Sequence, residues 1–98
     1  MARYDVYQLS ESEFVLDCQA DLLSHLNTRL IVPLRRPEDA PPIAKRLNPT
    51  FVVGGETLVM VTQFASAIYV RELNQKVGTL ADSHFTVMAA LDMLITGY

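Results

Sequence analysis

Cys18, Asp21 and His25 lie within eight residues of one another, the residue types of a nucleophile, an orienting acid and a base. Such sets are assembled in space rather than along a chain, and Cys18 falls on the apolar side of a period-two run. A buried free cysteine there behaves as a small hydrophobe. His84 opens a helical pattern, where the helix dipole disfavours a cation, and reads as a surface residue rather than a base. His25 and His84 are 59 positions apart and form no metal motif. Cys18 is the one cysteine, which excludes an intrachain disulfide and a multi-cysteine zinc site. Glu11/Glu13 and Glu38/Asp39 sit in polar loops as ordinary solvated charge. Gly54-Gly55 is placed for a hairpin turn, not for a phosphate-binding loop. Arg29, Arg35, Arg36, Lys45 and Arg46 form the one basic group, fit to touch a phosphate or an acidic partner. The chain carries a net charge of −3 with a pI near 5.2, and no aromatics interleave with these cations, which argues against nucleic-acid binding. No catalytic motif and no cofactor site emerges.

The elements that must position these residues are those of one small domain, residues 1–98. Half of the residues are apolar and 19% charged, a composition that folds rather than stays disordered. The opening MARYDVYQLSE has no apolar core of a secretory signal, and the longest charge-free stretch, Thr57 to Val70, is 14 residues. A bilayer span needs about 20. A reducing, cytoplasmic location is expected.

Nine of ten valines lie at or before Val77, so strands should crowd the first three-quarters. Arg3–Leu9 and Phe14–Gln19 read as a hairpin across Ser10-Glu11-Ser12-Glu13. Arg29–Leu34 is a third strand, with Pro33 expected at an edge or terminus. The proline-rich stretch RRPEDAPPIAKRLNP reads as a loop with at most a short helix over Ile43–Leu47. Thr50–Val53 and Leu58–Thr62 flank the Gly54-Gly55 turn, and Ala67–Arg71 is a last short strand. Ser83–Thr96 reads as a terminal helix, capped by Asp82 or Ser83 and closed by Gly97.

Two apolar features do not fit a small monomer. On a wheel the terminal helix is apolar almost all round, with a thin polar strip of Ser83, Thr86, Asp92 and Thr96, and no Lys or Arg from Val77 to Tyr98. A helix lying on one sheet normally shows a charged outer face. Either its own sheet wraps it, or its outer face meets another chain, the reading favoured here. The second feature is Leu22-Leu23 after the second strand, where periodicity expects one leucine inside and one partly covered.

The order FVLDCQADLL, NTRLIVPL, a proline-broken loop, VVGGETLVMVTQ and DMLITGY resembles the CcdB family of bacterial toxins, in register from Tyr4 to Gly97. The most specific parts are DxQxDLL (Asp17, Gln19, Asp21, Leu22, Leu23), RLIVPL (Arg29–Leu34) and Gly97. The resemblance implies a mostly β (α+β) fold, an SH3-like barrel of antiparallel strands with a C-terminal α-helix, in a homodimer without cofactor or metal. It implies a non-enzymatic toxin of a type II toxin–antitoxin system that binds the A subunit of DNA gyrase and traps the cleaved-DNA complex. A partly disordered antitoxin would neutralise it, and operator DNA would be repressed only through the toxin–antitoxin complex. The implied gyrase-contacting residues are Leu22, Leu23, Asp92, Ile95, Thr96, Gly97 and Tyr98. The best-known member of the family has a tryptophan where this chain has Thr96, which removes a large interface anchor, and a different apolar residue at Tyr98. The alternatives are an RNA-cleaving toxin on the same barrel, with the arginines of RLIVPLRR as phosphate ligands, and a relative that binds antitoxin without inhibiting gyrase.

Overall fold

The β-branched, period-two runs become strands in the computed structural model, which describes residues 2–41 and 43–97. β1 (Asp5–Ser10) and β2 (Glu13–Asp17) form the expected hairpin, with Val6 opposite Leu16 and Tyr7 opposite Val15. β3 (Thr28–Arg35) runs back along β2. β4 (Thr50–Val53) and β5 (Glu56–Met60) turn at Gly54-Gly55, whose φ angles of 59° and 80° are the successive left-handed values that a type I′ hairpin requires. β6 (Ser66–Tyr69) and β7 (Lys76–Thr79) complete seven antiparallel strands, ordered β4-β5-β3-β2-β1-β7, with β6 also on β3. The two ends draw together where a Val53 methyl lies 3.3 Å from the point a β-carbon on Gly78 would occupy. Glycine there lets the sheet almost close, and the helix α1 (His84–Thr96) packs against it. The fold is an SH3-like barrel with a C-terminal helix, as the resemblance implied.

Both faces of the β1–β3 sheet are covered, which is why β3 reads as a nearly continuous apolar run. Val6, Leu16, Cys18, Val32 and Leu34 point to the main core with Leu58, Met60, Leu80 and the α1 residues Val87, Ala90 and Leu91. Tyr7, Val15 and Ile31 point the other way, onto Leu73 and Ile68.

Three expectations change. β7 is missing from the sequence reading because Gly78 breaks a four-residue strand; pairing with β1 makes it a strand. Val70–Glu72, read partly as strand, is a 3-10 turn following β6. Pro33 lies within the sheet, opposite Val15, rather than at its edge. Its carbonyl accepts from the Val61 N–H (2.9 Å), away from β2, and a residue's N–H and C=O leave a strand on the same side. The missing N–H therefore faces the gap where β3 changes partner from β6 to β5, and the ladder to β2 loses nothing.

The basic group is also broken up. Arg29 is 1% exposed and sits 2.8 Å from the carboxylate of Asp17, itself fully buried. Asp17 pairs with Ile31 across the strands, so Arg29 is its diagonal neighbour on the same face. Burial pushes the Asp17 carboxyl up, while the Arg29 guanidinium and the Gln19 amide oppose that shift. Arg29 is thus a structural cation, closed to phosphate or partner.

Removing one member of such a pair strands a buried charge, at about 3–5 kcal/mol. Asp17→Ala should lose that much stability in urea unfolding, whereas Glu11→Ala in the exposed hairpin turn should change it by less than about 0.5 kcal/mol.

Candidate protein-binding surface

The cysteine–acid–base grouping does not assemble. Cys18 is buried, and its thiol is pushed up to about 12, first by burial and then by the negative charge of Asp17. His25 is exposed, and Asp21 is engaged with the main chain of Arg3. His84 is not the free surface residue expected: it is half-buried, its Nδ1 hydrogen-bonds the Tyr4 hydroxyl, and its ring stands edge-on to Tyr4 and Phe85. Tyr4 holds a left-handed φ of 73° at this point, fixed by main-chain bonds to Asp17 and Leu80. Arg36 pairs with Glu56, and the Arg35 guanidinium lies 5.4 Å from the centre of the Phe64 ring. Among the described residues no three His, Cys, Asp or Glu side chains gather as a metal site.

What the geometry does build is an apolar presentation loop. Gln19 closes it: its Oε1 accepts from the Leu30 N–H (3.0 Å), and its Nε2 donates to the carbonyls of Leu23 and Thr28 (both 3.1 Å). Asp17 Oδ1 accepts from the Gln19 N–H (3.1 Å), and Asp21 Oδ1 from the Arg3 N–H (2.8 Å). The loop is held by these amide and carboxylate hydrogen bonds, and Asp21–Leu23 winds into a 3-10 turn. Both leucines are therefore turned outward, Leu22 at 88% and Leu23 at 42% exposure. This overturns the periodicity-based expectation that one points inside; the 3-10 turn ends the strand alternation before Leu22.

The helix makes the second part. Neither Asp82 nor Ser83 caps it with a side chain; a 3-10 turn over Ala81–Ser83 leads in instead, its Ser83 N–H bonded to the Leu80 carbonyl. Gly97 ends it as expected, with φ 81° and its N–H on the Met93 carbonyl (3.0 Å). Val87, Ala90 and Leu91 face the core, while Phe85 is 86% and Ile95 77% exposed. The chain's own sheet does not wrap this helix. Asp92, Thr96 and Gly97 are exposed beside Ile95, and the Thr96 hydroxyl is turned back onto the Asp92 carbonyl. Tyr98 lies outside the described residues.

Loop and helix are joined by a residue that sequence reasoning missed. Arg3 donates from its main chain to Asp21, from Nε to the Cys18 carbonyl (3.3 Å) and from Nη2 to the Met88 sulfur (3.1 Å). Met88 lies one turn before Asp92 and two before Ile95 on the helix. Nothing in the pattern around Arg3 signalled this role. Phe85 was visible on the helical wheel as an apolar residue on the outer side.

A family model described as "CcdB protein" matches residues 3–97. Among curated proteins no sequence match is found.

Two outcomes follow from the burial pattern. Leu22→Asp should alter unfolding free energy by no more than about 0.5 kcal/mol, as at an exposed position, whereas Leu91→Asp should prevent folding. Cys18 should resist a thiol reagent at pH 8 in the native protein and react at once in denaturant. Because its folded pKa lies above the ordinary value of 9.0, its contribution to stability is complete below that pH and is lost as pH rises toward 12.

Proposed function

This chain belongs to the CcdB family of toxin–antitoxin toxins, and we propose that it acts by binding the A subunit of DNA gyrase and holding the enzyme in the state in which DNA has been cut. The observation that carries this reading is the outward presentation of Leu22, Leu23 and Ile95 from a hydrogen-bonded loop and the end of α1. Large apolar side chains kept in water at this exposure are best explained by a protein partner. The proposed contact comprises Leu22, Leu23, Asp92, Ile95, Thr96, Gly97 and Tyr98.

The chemistry is binding alone. A ligand that prefers one conformation shifts the population toward it by its differential affinity, and about 1.4 kcal/mol of preference makes a tenfold shift. A homodimer would present the surface twice, matching a two-fold symmetric target. The 98 residues act as one domain, in the cytoplasm where gyrase works. An antitoxin would neutralise the toxin by covering this surface, and the pair together would repress operator DNA.

The RNA-cleaving alternative needs a base and free cations on the sheet face. Arg29 is buried against Asp17 and Arg36 pairs with Glu56, so among the described residues Arg35, beside Phe64, is the one arginine proposed for that role that lies outside an ion pair.

In a cleavage reaction with purified gyrase, ATP and supercoiled plasmid, the full chain should accumulate linear DNA. The chain lacking Thr96, Gly97 and Tyr98 should not, while keeping its fold and antitoxin binding. Linear DNA from the truncated chain would sink the site assignment. No linear DNA from either, with RNA cut by the purified protein, would favour the nuclease reading. Antitoxin binding with neither activity would mark a non-toxic relative.

A further inference from the structure

We infer that Arg3 is a positioning residue, a bracket that holds the Leu22–Leu23 loop and the outer face of α1 in one fixed relation, so that the two apolar patches engage a single rigid partner together. The inference rests on the reading that both patches touch the same protein. Three observations carry it. The Arg3 main-chain N–H is the donor that Asp21 Oδ1 accepts (2.8 Å), so the loop hangs from Arg3 by a side chain of its own. The Arg3 guanidinium reaches the other way, to the Met88 sulfur (3.1 Å) on the helix and the Cys18 carbonyl (3.3 Å) at the end of β2. Finally, the guanidinium lies 4.9 Å from the centre of the Tyr4 ring, and Tyr4 is itself bonded through its hydroxyl to His84 at the start of α1.

Arg3 therefore touches the loop, the strand end, the helix middle and, through Tyr4, the helix start. The planar guanidinium carries five donors in a fixed fork, so it can serve two acceptors without choosing between them. A lysine ammonium would not reproduce that geometry. Binding a rigid partner through two patches costs less when their relation is set beforehand, because no loop has to be ordered on contact.

The test compares Arg3→Ala, Asp21→Ala, Asp21→Asn and the Arg3→Ala/Asp21→Ala double variant, by amide hydrogen exchange and by the plasmid-cleavage reaction. Asp21→Ala should speed exchange at the Leu23, Ser24 and Leu26 amides by roughly three- to tenfold, the range of one net hydrogen bond. Arg3→Ala keeps the main-chain donor to Asp21 but frees that segment from Cys18 and Met88, so it should speed exchange less. Each should raise the concentration needed for half-maximal cleavage. The double variant should be no worse than the stronger single one, because a bracket breaks once. Asp21→Asn keeps the accepting oxygen and should match the parent, which separates positioning from a direct charge contact with the partner. Loss of activity in Asp21→Asn, fully additive effects in the double variant, or faster exchange spread evenly over the β-strands would each overturn the proposal. If the parent itself produces no linear DNA, the gyrase reading falls while the exchange pattern still decides the bracket. If the parent cleaves and both alanine variants match it, the bracket falls and the gyrase reading stands.

Discussion

The buried Asp17–Arg29 pair is the constraint from which the rest of the molecule follows. Two charges with side chains 0% and 1% exposed are tolerated only where their register is exact, because a one-residue slip of β2 against β3 would put Asp17 and Arg29 on opposite faces and part them. With that register set, the Gln19 side chain reaches the main chain of Leu30 and Thr28 on β3, and of Leu23, and closes the connection between the two strands with three hydrogen bonds. The loop is consequently tied to the sheet by side-chain hydrogen bonds, although its residues 20–27 are exposed.

This arrangement inverts the usual distribution of residue types. Asp17 is buried, Gln19 and the exposed Asp21 are tied to main chain as staples, and Leu22 and Leu23 turn outward. Gln19 and Asp21, bonded to main chain, form a small platform; the leucines on it lose little freedom on meeting a partner, since the backbone beneath them is already tied down. The same economy holds at the helix end, where Gly97 closes the last turn and leaves Ile95 in solvent on a stiff support. A protein that works by favouring one conformation of a target gains from this stiffness, because its binding energy is not spent on ordering itself. The proposed action on gyrase draws on that property and on no proton transfer or metal.

The side chains that looked reactive serve the scaffold instead. Cys18 fills the core, His84 fastens the helix start to Tyr4, and Arg29 neutralises Asp17. Tyr4 keeps a left-handed backbone, a conformation that costs a non-glycine residue of order 1–3 kcal/mol and persists only where the surroundings over-determine it. Here main-chain bonds on both sides and the hydroxyl bond to His84 supply that determination.

Local chemistry determined much of this in advance. Period-two alternation located β2, Gly54-Gly55 marked the β4–β5 turn, and Gly97 marked the end of a helix whose apolar surplus signalled an uncovered face. These features depend on neighbours within a few residues, so they survive in a one-dimensional reading. Contacts between distant segments do not. β7 exists only because β1 lies beside it, Pro33 is admitted only where β3 changes partners, and Arg29 became a buried ion rather than a surface cation through a diagonal contact across strands. Whether Leu22 and Leu23 faced in or out was decided by hydrogen bonds from Gln19 and Asp21 to residues as far away as Arg3, and the role of Arg3 itself was invisible until residues 85 positions apart were brought to 3.1 Å. Periodicity records which way a side chain points along a regular element; only the tertiary structure supplies the partners that hold an irregular one.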